Sequence, residues 1–152
     1  MYDIGRRTWD PDLCAMWKVP VAALPEVRDC SAGFGETTLD GKWTKALPIC
    51  GVMGNSQAAW FAQRCFDSGS AKVTFGTGSS VLLNLGAKPR FSDQGLLTTV
   101  AWTLNGEATY AYAGVIISSA STLTWLRDQL GLAASVPELD DWASEVGDNG
   151  GV

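Results

Sequence analysis

Short apolar runs alternate with turn-forming residues through the middle of the chain, and their spacing predicts strands around one helix. Residues 47–52 form an apolar run that is too short for a helix, so we predict a strand there. The polar residues 55–57 follow a tight turn and open a helical pattern. The apolar face of this predicted helix contains Ala58, Phe61, Ala62 and Cys65.

Four further apolar runs predict a mostly antiparallel sheet. They are residues 72–75, 79–85, 96–102 and 108–112. Gly76-Thr77-Gly78 separates the first two runs, which is typical of a hairpin with a glycine turn. Asn105-Gly106 separates the last two and favours the positive φ angles of a tight hairpin.

Asp10 and Pro11 predict the start of the first helix. Asp is a good N-cap, and Pro is favoured at the first helical position. Leu13, Met16 and Trp17 supply the apolar face of this predicted helix.

A second hairpin is predicted around Asp40-Gly41, with arms at 33–38 and 42–49. The period changes near the C-terminal end, where residues 114–130 show helical spacing that Gly131 stops, and this helix should be the longest in the chain. A short helix is predicted at 140–146.

Composition restricts the chemistry. The chain of 152 residues contains no histidine, which removes Ser-His and Cys-His nucleophilic schemes and histidine metal sites. Its 16 acidic and 11 basic residues give a net charge of -5 with no basic cluster, so we expect no nucleic-acid partner. The sequence has no apolar run of membrane-spanning length and no leader pattern, so we expect no membrane association and a cytoplasmic location.

The four cysteines match no short metal-ligand or redox spacing. Cys14, Cys30, Cys50 and Cys65 are at least fifteen residues apart. Scattered core thiols are the favoured interpretation, and two disulfides in an oxidising compartment are the alternative.

The central stretch also resembles a known family. GVMGNSQAAWFAQ is similar to the G-x-x-G-D-Q-Q-A-A-L-F-G-Q block of the FGGY carbohydrate kinase family, most of all its glycerol kinases. The later stretches AKVTFGTGSSVLLNLG, GLLTTVAW and WLRDQLGL resemble the next blocks in the same order. The resemblance also extends upstream through WDPDLCAMWKVPVAALPEVRDCSAGFGET, and therefore covers almost the whole chain.

The resemblance implies an α/β fold, a segment of an actin-like, ribonuclease H-type ATPase with strands, hairpins and packed helices. It implies that residues 1–66 end the N-terminal domain of such a kinase and that residues 67–152 begin its C-terminal domain. The chain would then be incomplete at both ends.

The resemblance also implies ATP-dependent phosphorylation of a polyol or sugar hydroxyl. Its nucleotide-binding positions fall on Gly76, Thr77, Gly78, Ala120 and Thr124. Glycines let backbone N–H groups approach phosphate oxygens, and the Thr77 hydroxyl adds a donor. The implied ligands are ATP or ADP, a small polyol or sugar, and Mg²⁺ whose protein ligands lie outside this chain. The sequence leaves homo-oligomerisation open.

Four positions depart from the family pattern. Ala120 and Thr124 stand where the family has a glycine and a glutamine near the nucleotide. Asn55 stands where the family has the aspartate that acts as catalytic base, and Ser56 replaces a substrate-holding glutamine. An amide cannot accept a proton at neutral pH, but Asn caps a helix about as well as Asp. We therefore expect the fold to survive at Asn55 and catalysis to suffer. The alternatives are a catalytically impaired member that binds nucleotide or polyol, and a structural fragment that binds neither.

Overall fold

The structure is a computed structural model that describes residues Met1–Gly151, so Val152, the last residue of the predicted segment 67–152, lies outside the described residues. The elements in chain order are β1 (Tyr2–Asp3), β2 (Thr8–Trp9), α1 (Pro11–Met16), a 3-10 turn (Val21–Ala23), β3 (Glu36–Thr37), β4 (Leu47–Pro48), α2 (Asn55–Ala62), β5 (Ala71–Phe75), β6 (Ser79–Gly86), β7 (Leu97–Leu104), β8 (Glu107–Ile116), α3 (Ala120–Asp128) and α4 (Val136–Glu145).

The chain forms two compact units. The first comprises Met1–Lys72 and Leu82–Ala113, and the second comprises Val73–Val81 and the described residues from Gly114 onwards. The division falls within strands β5, β6 and β8. The predicted boundary between residues 66 and 67 concerns the domains of a longer kinase, and it stays a prediction.

The predicted sheet and its two hairpin turns are present. The strand order is β5-β6-β8-β7, and β7 pairs with β8 in antiparallel fashion. Asn105 and Gly106 connect that pair with φ angles of 53° and 79°, as the turn chemistry predicts. Gly114 to Ile116 continue β8, so the predicted helix over 114–130 begins only at Ala120. Because β8 has neighbours on both sides, backbone pairing outweighs the helical spacing of its last residues.

An aromatic cluster forms the core of the first unit. Trp60 of α2 is completely buried and meets Trp102 of β7 edge-on, with ring centroids 5.2 Å apart. Phe61 packs edge-on against the same indole at 5.4 Å. The predicted face of α2 is therefore partly wrong, because Ala58 and Ala62 are exposed and the large indole of Trp60 takes the buried position.

Asn84 fastens the segment after α2 to β6. Its buried side-chain amide donates to the carbonyls of Cys65 and Phe66 at 3.0 and 3.1 Å. Its Oδ1 accepts from the Gly86 N–H at 2.7 Å. The buried amide thus has partners for both of its polar atoms, as burial requires.

The first helix begins as predicted. The Asp10 carboxylate accepts from the N–H groups of Asp12 and Leu13, and Pro11 occupies the first turn. The predicted apolar face is wrong, because Met16 and Trp17 are exposed and Cys14 is the buried residue.

The hairpin around Asp40-Gly41 has the predicted turn but shorter arms. Both turn residues have positive φ, and β3 pairs with β4 in antiparallel fashion. The predicted strand over 47–52 is regular only at Leu47–Pro48. Beyond it the backbone pairs irregularly with residues 30–35, since the Ile49 N–H donates to the Gly35 carbonyl and the Val52 N–H to that of Cys30.

The last helix starts earlier and is longer than predicted. The Ser135 hydroxyl accepts from the Glu138 N–H, and the Glu138 carboxylate accepts from the Ala134 N–H. Ser-x-x-Glu is a capping-box sequence that marks this start. With ten residues α4 exceeds the nine of α3, so the predicted longest helix is not the longest.

All four cysteines are free thiols, but the prediction of core thiols is only partly right, because Cys14 is buried, Cys30 and Cys65 are half-buried and Cys50 is exposed. None of the helices within residues 1–151 has the length and apolar character needed to cross a membrane.

Candidate nucleotide-binding cleft

The Gly76-Thr77-Gly78 loop lies against the N-terminal end of α3. The Thr77 carbonyl accepts from the N–H groups of Ser119 and Ser121 at 2.9 and 3.2 Å, and also from the Ser121 hydroxyl at 2.9 Å. The Gly76 carbonyl accepts from the Ala120 N–H at 2.9 Å. The loop therefore caps the helix with its carbonyls, and the first N–H groups of α3 already have protein acceptors.

The N–H groups of the same loop are available. Within residues 1–151, the backbone N–H groups of Gly76, Thr77 and Gly78 and the Thr77 hydroxyl have no hydrogen-bond acceptor. The loop thus carries up to four donors on an exposed turn, and an anion binding there would use the loop itself rather than the helix terminus.

Glycine at position 78 is required by space. A Cβ there would lie 2.7 Å from the Ile116 carbonyl oxygen and 2.9 Å from that of Ile117, both of which are backbone atoms. At position 76 a Cβ would approach only the Gly78 carbonyl oxygen, at 3.3 Å. Close packing against the end of β8 therefore explains Gly78 without any ligand.

A cleft of about 400 Å³ runs from this loop along one side of α3. It brings together three predicted nucleotide-binding residues, Thr77, Ala120 and Thr124. The remaining lining residues are Ser121, Trp125, Asp128 and Gln129. The sequence interpretation missed these four as site residues, although helical steps of four residues from Ala120 and Ser121 lead to the last three of them.

Two polar contacts lie near opposite ends of α3. Before its first residue, the buried Ser79 hydroxyl donates to the Ser119 hydroxyl at 2.7 Å, and neither serine lines the cleft. At the far end, Arg127 Nη2 donates to Asp128 Oδ2 at 2.9 Å. The hydrogen bond from this guanidinium, together with its charge, lowers the pKa of Asp128. Asp128 is therefore a carboxylate at neutral pH.

Asn55 is the first residue of α2 and belongs to the first unit. The N-cap is Gly54, so the predicted cap at Asn55 is wrong by one position. The Asn55 side chain is exposed, and its Oδ1 accepts from the Ser56 N–H at 2.8 Å. An amide oxygen held in this way still satisfies one backbone donor of the first helical turn.

A second cleft, of about 480 Å³, lies within the first unit. Gly54 and Gln57 line it, but neither Asn55 nor Ser56 does. Gln57 folds back over the first turn of α2, because its Oε1 lies 2.7 Å from where a Cβ of residue 54 would be. Arg7 and Arg28 contribute the cationic groups of the lining.

The described residues do not fit a magnesium site. Within residues 1–151 no group of three or more histidine, cysteine, aspartate or glutamate side chains could hold a metal ion.

Comparison with known proteins gives the class of protein. No protein-family model matches the chain. Plasmodium falciparum glycerol kinase with ADP superposes with a TM-score of 0.84 at 30% identity, over 97% of this chain and 30% of that one. A xylulose kinase from Rhodospirillum rubrum, 24% identical, matches in fold with a TM-score of 0.72 over 95% of this chain and 30% of that one. The fold is therefore that of a segment of a carbohydrate kinase with the actin-like ATPase architecture.

Comparison of sequences gives a higher identity than these two structures do. A glycerol kinase from Xylella fastidiosa (strain M12) is 45% identical over 152 residues, which are 100% of this chain and 30% of that protein. Over its whole length the chain is thus a relative of glycerol kinases, which confirms the resemblance seen in the sequence. It spans about 30% of the length of these relatives.

Proposed function

We propose that this chain is part of an FGGY-type kinase that transfers phosphate from ATP to a hydroxyl group of a polyol or sugar, with glycerol as the first substrate to test. The observation that carries the proposal is the cleft along α3, where Thr77, Ala120 and Thr124 lie beside the free donors of the loop. The relationship to glycerol kinases, one of them seen with ADP, supports a nucleotide as the ligand.

Phosphoryl transfer requires positioning, neutralisation of charge on the phosphoryl group, and a base for the attacking hydroxyl. Gly76-Thr77-Gly78 would supply hydrogen bonds to phosphate oxygens, and Ala120 and Thr124 would line the path of the nucleotide. Asn55 and Ser56 would contact the accepting hydroxyl compound. Magnesium ligands, a cytoplasmic location, a role in glycerol metabolism and any homo-oligomerisation belong to the proposal for the longer protein.

A second function is favoured by Asn55. Its amide has no proton-accepting form at neutral pH, so the protein would bind nucleotide or polyol without transferring phosphate. A purely structural segment that binds neither ligand is the third candidate.

A chimera separates these candidates. The 152 residues of this chain replace the matching segment of the Xylella fastidiosa glycerol kinase, which supplies the rest of the protein. Phosphorylation of glycerol and a panel of sugars is measured with Asn55 and with Asn55→Asp. A restored base should raise kcat by about 10²- to 10⁴-fold. Asn105→Asp, which adds the same charge in a turn that tolerates Asp, is the matched control.

Each outcome identifies one candidate. Equal and rapid turnover by the chimera with Asn55 and by its Asn55→Asp variant would place the base elsewhere. ADP binding without turnover by the chimera with Asn55 supports the impaired member. The segment is structural if the Xylella fastidiosa glycerol kinase binds ADP whereas the chimera and its Asn55→Asp variant, both folded, do not. Thr77→Val tests the nucleotide contact directly, because it keeps the side-chain shape, removes the hydroxyl donor, and should weaken ADP binding by about threefold or more.

A further inference from the structure

The cleft along α3 continues beyond the positions that the family resemblance supplies. Thr77 contacts the beginning of the helix through its carbonyl, whereas Asp128 is the last helical residue. Ala120, Thr124 and Asp128 are spaced by four residues and line the same cleft. At 1.5 Å per residue, the cleft follows the helix for about 12 Å. An extended nucleotide spans a distance comparable to this cleft, measured from its phosphates to its sugar and base.

The chemistry of the two ends differs. At the loop end, Thr77 lines the cleft and offers its N–H group and its hydroxyl, which suit phosphate oxygens. The far end offers the carboxylate of Asp128 and the amide of Gln129. A carboxylate repels phosphate but accepts hydrogen bonds from hydroxyl groups, and acidic residues bind the ribose hydroxyls in other nucleotide folds. This polarity gives a bound nucleotide one direction along the helix.

We propose that Asp128, assisted by Gln129, binds the ribose hydroxyls of the nucleotide whose phosphates lie at Thr77, and so selects ribonucleotides over deoxyribonucleotides. The proposal rests on the function proposed above, since it assumes that this cleft holds a nucleotide. It assigns to Asp128 a role in specificity, with no part in the transfer of phosphate.

Arg127 prepares the carboxylate for this role. Its Nε and Nη2 donate to the two oxygens of Asp128 at 2.5 and 2.9 Å, which fixes the plane of the carboxylate. Two carboxylate oxygens have about four acceptor positions, so two remain for ligand hydroxyls. The Asp128 side chain is 45% exposed and therefore open to a ligand.

The test uses the chimera with Asn55→Asp and compares ATP, 2′-deoxy-ATP and 3′-deoxy-ATP as phosphate donors. We expect Asp128→Asn to lower the ratio of kcat/KM between ATP and the deoxynucleotides by about three- to tenfold, mainly through KM for ATP. The exposed Asp141→Asn on α4 is the matched control and should leave the ratio unchanged. Melting temperatures of both variants show whether the fold is retained.

The possible outcomes distinguish the ribose assignment from the proposed nucleotide site on which it rests. If Thr77→Val weakens ATP binding and Asp128→Asn leaves the ratio unchanged, the ribose assignment is wrong and the nucleotide site stands. Parallel losses with ATP and the deoxynucleotides would make Asp128 a structural residue, which also overturns the assignment. Unchanged ATP binding in both variants would overturn the nucleotide site and the ribose assignment together.

Discussion

The two units differ in what holds them together. The first contains a packed aromatic core in which Trp60 and Trp102 are almost completely buried. In the described part of the second, the buried residues are Ala133 and Ser79. Hydrogen bonds from the start of α3 to the loop carbonyls organise this unit instead. Packing therefore supports the helix that carries Asn55, whereas backbone hydrogen bonding and close backbone approach support the candidate nucleotide cleft.

The largest difference in stability between the two units is expected when one tryptophan is removed from each. Trp102→Ala should lower the free energy of unfolding by about 3–5 kcal/mol, because it empties the centre of the aromatic cluster. Trp125→Ala should cost about 1 kcal/mol or less, because the side chain lies at the surface of the second unit. Urea denaturation followed by circular dichroism measures both. Equal losses would mean that the second unit also depends on packing.

The next test uses the glycines of the loop. Gly78→Ala should destabilise by about 1–3 kcal/mol, because its Cβ would meet two backbone carbonyls that cannot move independently. Gly76→Ala meets one carbonyl at 3.3 Å and should cost less. Thermal melting of both variants checks the order, and a Gly78→Ala protein as stable as the parent would remove the steric argument.

Removing a helix cap from each unit should give a smaller difference in stability. Asp10→Ala removes an acceptor of two N–H groups in the first unit, and we expect a loss of about 1–2 kcal/mol. Ser135→Ala removes one bond of 3.3 Å in the second, so the loss should be nearer about 0.5 kcal/mol. Denaturant midpoints decide between them, and a larger loss at Ser135 would contradict the prediction.

The smallest effect concerns two carboxyl groups with lowered pKa, the half-buried Asp3 and the exposed Asp128. The backbone N–H and then the guanidinium of Arg6 lower the pKa of Asp3, with help from the Gly5 N–H. The guanidinium of Arg127 is the main cause of the lowered pKa at Asp128. Arg127→Gln should therefore return the pKa of Asp128 towards its ordinary value, whereas Arg6→Gln should leave that of Asp3 partly lowered.

Carboxyl chemical shifts followed by NMR during acid titration test this difference. Each lowered pKa favours the folded state above the ordinary carboxyl pKa, and the contribution disappears as pH falls through the lowered value. If the pKa values of Asp3 and Asp128 returned equally to the ordinary value in the two variants, the backbone N–H groups would make no separate contribution at Asp3.

The sequence alone determined the features that depend on neighbouring residues. Asp10-Pro11 fixed the start of the first helix, and Asn105-Gly106 fixed the turn between β7 and β8, because caps and tight turns use local φ angles and local donors. The four-stranded sheet followed from apolar runs of strand length. The family resemblance followed from the order of short blocks.

Tertiary structure decided what depends on distant contacts. Helical spacing could not show that β8 continues to Ile116, since strand neighbours supply that information. The burial of Trp60, rather than Ala58 and Ala62, depends on the indole of Trp102, which lies more than forty residues away in the chain. The same holds for the cleft, where the loop carbonyls and the start of α3 meet across a similar separation. Local patterns specify short-range geometry, whereas burial and site assembly require the fold that brings remote segments together.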